Sequence, residues 1–112
     1  MMLHTHDIMS HLSLCFSRAL STTALTVDNV VRELRDITWY TLCSVLYLPK
    51  SQQHKIEKEH ATEIHRKNAA VNFWLDNDPH ASWRRLIIRL GFCEQLAVAY
   101  QIYNYAEKLT GT

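Results

Sequence analysis

Three arginines within one short stretch are the side chains whose type and spacing point most directly to chemistry. Arg84, Arg85 and Arg89 lie in Ala81-Ser82-Trp83-Arg84-Arg85-Leu86-Ile87-Ile88-Arg89-Leu90, shortly after Asp76 and Asp78. Guanidinium groups make paired hydrogen bonds to carboxylates and phosphates, and arginine is enriched at binding hot spots. The chemistry they suggest is recognition rather than bond making. Residues 49–70 form a second charged region, net +2 from five basic and three acidic side chains, with Glu57 and Glu59 among the acids. Segregated charges of this kind steer and register a protein partner, although each residue taken singly also suits an ordinary solvated face. Ile88 follows Arg84 by one turn, falls off the apolar face and is expected to be exposed inside the arginine patch. The partner-binding candidates are therefore Arg84, Arg85, Arg89, Ile88, Asp76, Asp78, Glu57 and Glu59.

Other chemistries find less support. There are seven histidines, but no serine or cysteine can be placed beside one as a nucleophile, so the chain does not read as an enzyme. His4, His6, His11 and Cys15 number enough for a metal site, and His60 and His65 lie near Glu57, Glu59 and Glu63. Neither set has zinc-finger or His-Glu-x-x-His spacing, and residues five apart do not share a helix face. No metal or cofactor is predicted. Cys15, Cys43 and Cys93 are odd in number and widely separated, which leaves no disulfide framework. Cys43 falls on an apolar helix face and reads as a buried, reduced thiol, in keeping with an intracellular, cytoplasmic protein. A formal net charge of +1 argues against a protein devoted to neutralising phosphates; a nucleic-acid groove taking the arginine-bearing helix is the alternative function. No run of 18 apolar residues occurs, so no membrane insertion is expected. Met1 to Leu20 lacks a basic start and an A-x-A site and is a poor signal peptide.

These candidates must be positioned by helices. A chain of 112 residues with two glycines and two prolines is one domain with too few turn residues for an all-β protein. Trp39, Leu42, Cys43 and Leu46 recur at i, i+3, i+4 and i+7, and Trp83, Leu86, Ile87 and Leu90 repeat that spacing. Two amphipathic helices, each requiring a partner surface, follow. Residues 1–25, with an intermittent row at Ile8, Leu12, Cys15 and Ala19, read as a flexible or loosely docked leader. A first helix uses Thr26 or Asp28 as its cap and buries Val27, Val30, Val31 and Leu34. The second, Trp39 to Tyr47, is stopped by Pro49. Ser51 caps a third, polar helix whose one large apolar residue is Ile56. The fourth runs from about Thr62 to Leu75, turning Ile64, Val71, Trp74 and Leu75 inward. Asp78-Pro79 starts the fifth, which ends with Gly91 in the left-handed position. The sixth covers about Cys93 to Lys108. Trp39, Leu42, Leu46, Trp74, Leu86 and Leu90 are the predicted shared core.

Taken in order, these motifs resemble a death domain. The resemblance covers about residues 26–109 and rests on Trp39, Leu42, Leu46 and Leu48, then Ile56-Glu57, then Val71 and Trp74, then Ala81, Ser82, Trp83, Leu86 and Leu90, with Leu96-Ala97 in the sixth helix. Cys43 stands for the usual small alanine, Tyr47 for a glycine, Gln53 for an aliphatic and Tyr100 for another. The resemblance implies an all-α, six-helix antiparallel bundle. It also implies a homotypic protein–protein interaction module, an adaptor in signal transduction such as apoptosis or innate immunity. Its partners would be other death-domain-like proteins, self-association included.

Overall fold

In the computed structural model, which describes residues 25–110, six stretches are helical and no strand occurs among the described residues. They are α1 (Val27–Glu33), α2 (Trp39–Leu46), α3 (Lys50–Glu59), α4 (Glu63–Asn77), α5 (Trp83–Phe92) and α6 (Leu96–Thr110). Four of them begin on a hydroxyl. Thr26 accepts from the Asn29 amide at 3.2 Å, Thr38 from Thr41 at 3.1 Å, Thr62 from His65 at 3.3 Å and Ser82 from Arg85 at 3.0 Å. Each satisfies one of the amides that a helix start leaves without a partner.

The fold is an all-α, six-helix bundle. Central α4 packs against α1, α2 and α3; α5 packs against α2 and α6; α6 returns to α1. The two amphipathic stretches meet each other only in part: α2 buries its apolar face chiefly against α4, and α5 chiefly against α6. Trp39, Leu42, Leu46, Trp74, Leu86 and Leu90 are all buried. Leu25, which the sequence reading placed in the leader, is buried in the same core. The rest of the leader lies outside the described residues.

The inward row of α4 differs from expectation. Val71 and Trp74 are buried, Leu75 is half-buried, but Ile64 is 54% exposed. The first turn of α4 is occupied by a polar clip instead. Glu63 accepts from the Trp39 amide at 3.1 Å and lies 3.9 Å from the Lys67 ammonium, while Lys67 is buried and donates to the Leu34 carbonyl at 2.9 Å. Leu34 closes α1, so the lysine caps a helix end whose carbonyls attract a cation. Burial pulls the Lys67 pKa below the ordinary lysine range, with Glu63 and Asp36 opposing that shift.

Helix boundaries also move for identifiable reasons. Helix α3 starts at Lys50 with Pro49, not Ser51, in the capping position. The Pro49 carbonyl takes the Gln52 and Gln53 amides at 3.0 Å, and the Gln53 side chain turns back to the Leu48 carbonyl at 3.0 Å. Helix α5 starts at Trp83 rather than Pro79, because Asp78 spends its carboxylate on the turn before it. Both α2 and α5 end in the same way. Leu48 donates to Cys43 and Tyr47 to Ser44; Gln95 donates to Leu90 and Glu94 to Gly91. This double closure needs a residue in the left-handed region. Tyr47, with φ 53°, and Glu94, with φ 62°, supply it, while Gly91 is buried inside α5 instead of ending it. A side chain at such a position is strained where glycine is not. Glu94→Gly is accordingly expected to stabilise the fold by about 1 kcal/mol, read as an increased urea midpoint at unchanged m-value.

Candidate protein interaction surface

The outer face of α5 gathers part of the predicted patch. Because Trp83, Leu86, Ile87 and Leu90 turn toward the bundle, Arg84 and Arg85 are exposed on the opposite side. With His80, Ser82 and Ile88 they surround a shallow surface cleft of about 410 Å³. Ile88 is half-buried and packs against the core, so it forms an apolar floor to the arginines rather than an exposed knob.

Arg89 departs from the predicted outward row of three. Its Nε donates to the Val45 carbonyl at 2.6 Å, and its guanidinium lies over the Tyr47 ring, 3.9 Å from the centroid. The physical reason is the C-terminal end of α2, where carbonyls lack helical partners and a cation is favoured. A cation over an aromatic face adds to that attraction. Arg89 is therefore half-buried between α5 and α2, and the exposed arginine patch is +2, not +3.

The acidic candidates fall into two places. Asp76 is exposed at the C-terminal end of α4. Asp78, just beyond it, is half-buried and holds the α4–α5 turn: it accepts from the His80 amide at 2.8 Å and from the Trp74 indole at 3.2 Å. These donors, the His80 amide foremost, hold its carboxyl below the usual aspartate range. Glu57 and Glu59 lie on α3, which is tied to the opposite end of α4: Arg66 donates to the carbonyls of His60 at 2.8 Å and Glu57 at 3.2 Å. Along the fifteen residues of α4 the two acidic groups stand roughly 20 Å apart. Glu57 is already engaged by the Tyr40 hydroxyl, and this hydrogen bond, with the carboxylate's charge, raises the phenol above its usual pKa. Glu59 is exposed.

Two aromatic side chains that the sequence reading did not place at the surface stand out. Tyr47 is 79% exposed and Phe92 is 70% exposed. Tyr47 borders an apolar cleft of about 340 Å³ between the α2–α3 turn and the end of α4, whose walls include Leu46, Leu48, Pro49 and Phe73, with Asn77 and Asp78 beside them. The signal for Phe92 was present: it follows Arg85 and Ile88 at i, i+3 and i+7, on the outward row and off the core row.

Among the described residues no three histidine, cysteine or acidic side chains converge as a metal would require. No helix among them is long and apolar enough to cross a membrane. The leader set of His4, His6, His11 and Cys15 lies outside the described residues. Cys43 is buried, and burial pushes its thiol up to about 11, whereas Cys93 is exposed. At pH 8 only about a thousandth of such a buried thiol is ionised, and the thiolate is the reactive form. A maleimide is therefore expected to label Cys93 in the native protein and Cys43 only after denaturation, as peptide mass mapping would show.

What the fold defines is a class, a small all-α bundle with a charged outer helix face. No family model matches the chain, and no curated protein and no solved structure matches it either.

Proposed function

We propose that the chain is a protein–protein interaction module of the homotypic death-domain type, an adaptor in cytoplasmic signal transduction such as apoptosis or innate immunity. The observation that carries this reading is the α5 face. One side of the helix is consumed by the core, and the other presents Arg84 and Arg85 over Ile88 around an open cleft. Charged groups bordering an apolar floor suit a protein surface, where charge sets register and partner choice while apolar contact supplies affinity. The motif order that resembles a death domain, the six helices and the burial of Trp39 and Trp74 support it. The partner is another copy or a related domain bearing an acidic patch; of the four acidic candidates on this chain, Asp76 and Glu59 are the exposed ones.

The nucleic-acid reading drew on three outward arginines. With Arg89 drawn onto α2 it retains two, eight residues after an exposed Asp76. The test is association measured by light scattering and by titration with candidate helical-bundle domains. Arg84→Glu/Arg85→Glu is expected to abolish it. A purified chain that stays monomeric, binds no such domain and is indifferent to the charge reversal would refute the reading.

A further inference from the structure

We infer that the chain self-associates head to tail, Phe92 of one copy entering the apolar cleft between the α2–α3 turn and the end of α4 of a second copy. This rests on the interaction-module reading and names the partner and the anchor. Phe92 is 70% exposed in the last turn of α5. Phenylalanine is among the residues enriched in the cores of protein contacts, and this one shares its helix row with Arg85 and Ile88. It does not line the cleft of its own copy, which is built from Leu46, Tyr47, Leu48, Pro49 and Phe73. That cleft, at about 340 Å³, exceeds the roughly 150 Å³ that accepts a benzene ring.

Charge complementarity orients the pair. The knob carries Arg84 and Arg85 on the same helix, with exposed Glu94 two residues beyond Phe92; the cleft carries Asp78 in its lining, with Asp76 exposed two residues before it and Arg89 near enough to act on Asp78. The His80 and Trp74 donors keep Asp78 ionised at neutral pH and fix its place at the cleft. Arg85 and Phe92 share one face of α5 and stand two turns, about 11 Å, apart, so the arginines meet the acidic rim beyond the cleft while the ring enters it. The two surfaces differ, so the contact is heterologous and each copy offers one knob and one cleft.

The experiment uses the full 112-residue chain in sedimentation velocity up to about 1 mM, the upper range for weak protein contacts. Phe92→Ala removes the knob and leaves the cleft; Asn77→Trp, at an exposed position beside the cleft, blocks the cleft and leaves the knob. Circular dichroism checks that both retain the fold, and Asn77→Arg replaces the tryptophan variant if it does not. Each variant alone is expected to associate at least about 30-fold more weakly than the parent. An equimolar mixture of the two is expected to form a 1:1 dimer and nothing larger. A parent chain that is monomeric throughout overturns the inference, as does Phe92→Ala associating like the parent or a mixture that fails to pair. If association survives Phe92→Ala but is lost in Arg84→Glu/Arg85→Glu, the anchor is wrong and the interaction-module reading stands. Loss of binding to related domains in the charge reversal separates that reading in the same way when the parent is monomeric.

Discussion

Replacing Trp74 by alanine is expected to lower the stability of the bundle by about 3–5 kcal/mol. The side chain is buried on α4, the helix that α1, α2 and α3 all pack against. Its removal leaves a cavity that helices anchored on several sides cannot collapse to fill, and the cavity adds to the lost transfer energy. It also takes a donor from Asp78, whose carboxylate holds the turn leading into α5. A domain of this kind has roughly 5–15 kcal/mol in total, so the variant should sit close to its folding threshold. The check is the urea midpoint followed by circular dichroism and by the fluorescence of the remaining Trp39 and Trp83. An unchanged midpoint would mean that α4 is not the centre of the fold.

The second large effect is on association. Arg84→Glu/Arg85→Glu should leave stability within about 0.5 kcal/mol, as exposed substitutions usually do. Both residues are in the first turn of α5, where an acidic side chain is favoured by the helix dipole, and the Ser82 cap uses a backbone amide that the change does not alter. Association should nevertheless be lost, because acidic groups then face acidic groups across the contact. A compensating Asp76→Arg in the partner copy should restore part of it. Asp76 is the suitable position because Asp78 is committed to Trp74 and His80. The parent contact should weaken with added salt, since exposed charges are screened beyond about 8–10 Å. Nucleic-acid binding makes a different forecast: oligonucleotide affinity falls in the reversed protein, with a steep salt dependence, and no change on another protein copy rescues it. A rescue by Asp76→Arg excludes that alternative.

The core was largely legible because burial follows from period. Residues spaced i, i+3, i+4 and i+7 cannot avoid one face, and a helix with such a face must cover it. Hence Trp39, Leu42, Leu46, Leu86 and Leu90 could be assigned before any partner was known. Helix starts at Thr26, Thr38, Thr62 and Ser82 are equally local, a hydroxyl three residues from an open amide. Ser82 shows where two local signals compete. Asp78-Pro79 has the form of a helix start, but the Asp78 carboxylate is claimed by Trp74 and His80, and the next available cap is Ser82.

The surface was less legible because long polar side chains choose among neighbours that only tertiary packing brings near. Arg84, Arg85 and Ile88 stay together on α5, as helical spacing requires. Arg89 leaves them for a carbonyl on α2, 44 positions earlier in the chain. Lys67 is buried for the same kind of reason, its ammonium reaching Leu34 across 33 positions, while Ile64, apolar and one turn earlier, is left exposed. Composition and period by themselves determined that this protein is a helical bundle and most of the residues that fill it, because which face of a helix is apolar depends only on neighbours along the chain. Which charges remain at the surface, and that Phe92 and Tyr47 stand out beside them, was decided by tertiary structure. A guanidinium, an ammonium or a ring settles where carbonyls, carboxylates and clefts from distant segments meet, and no local spacing encodes that meeting.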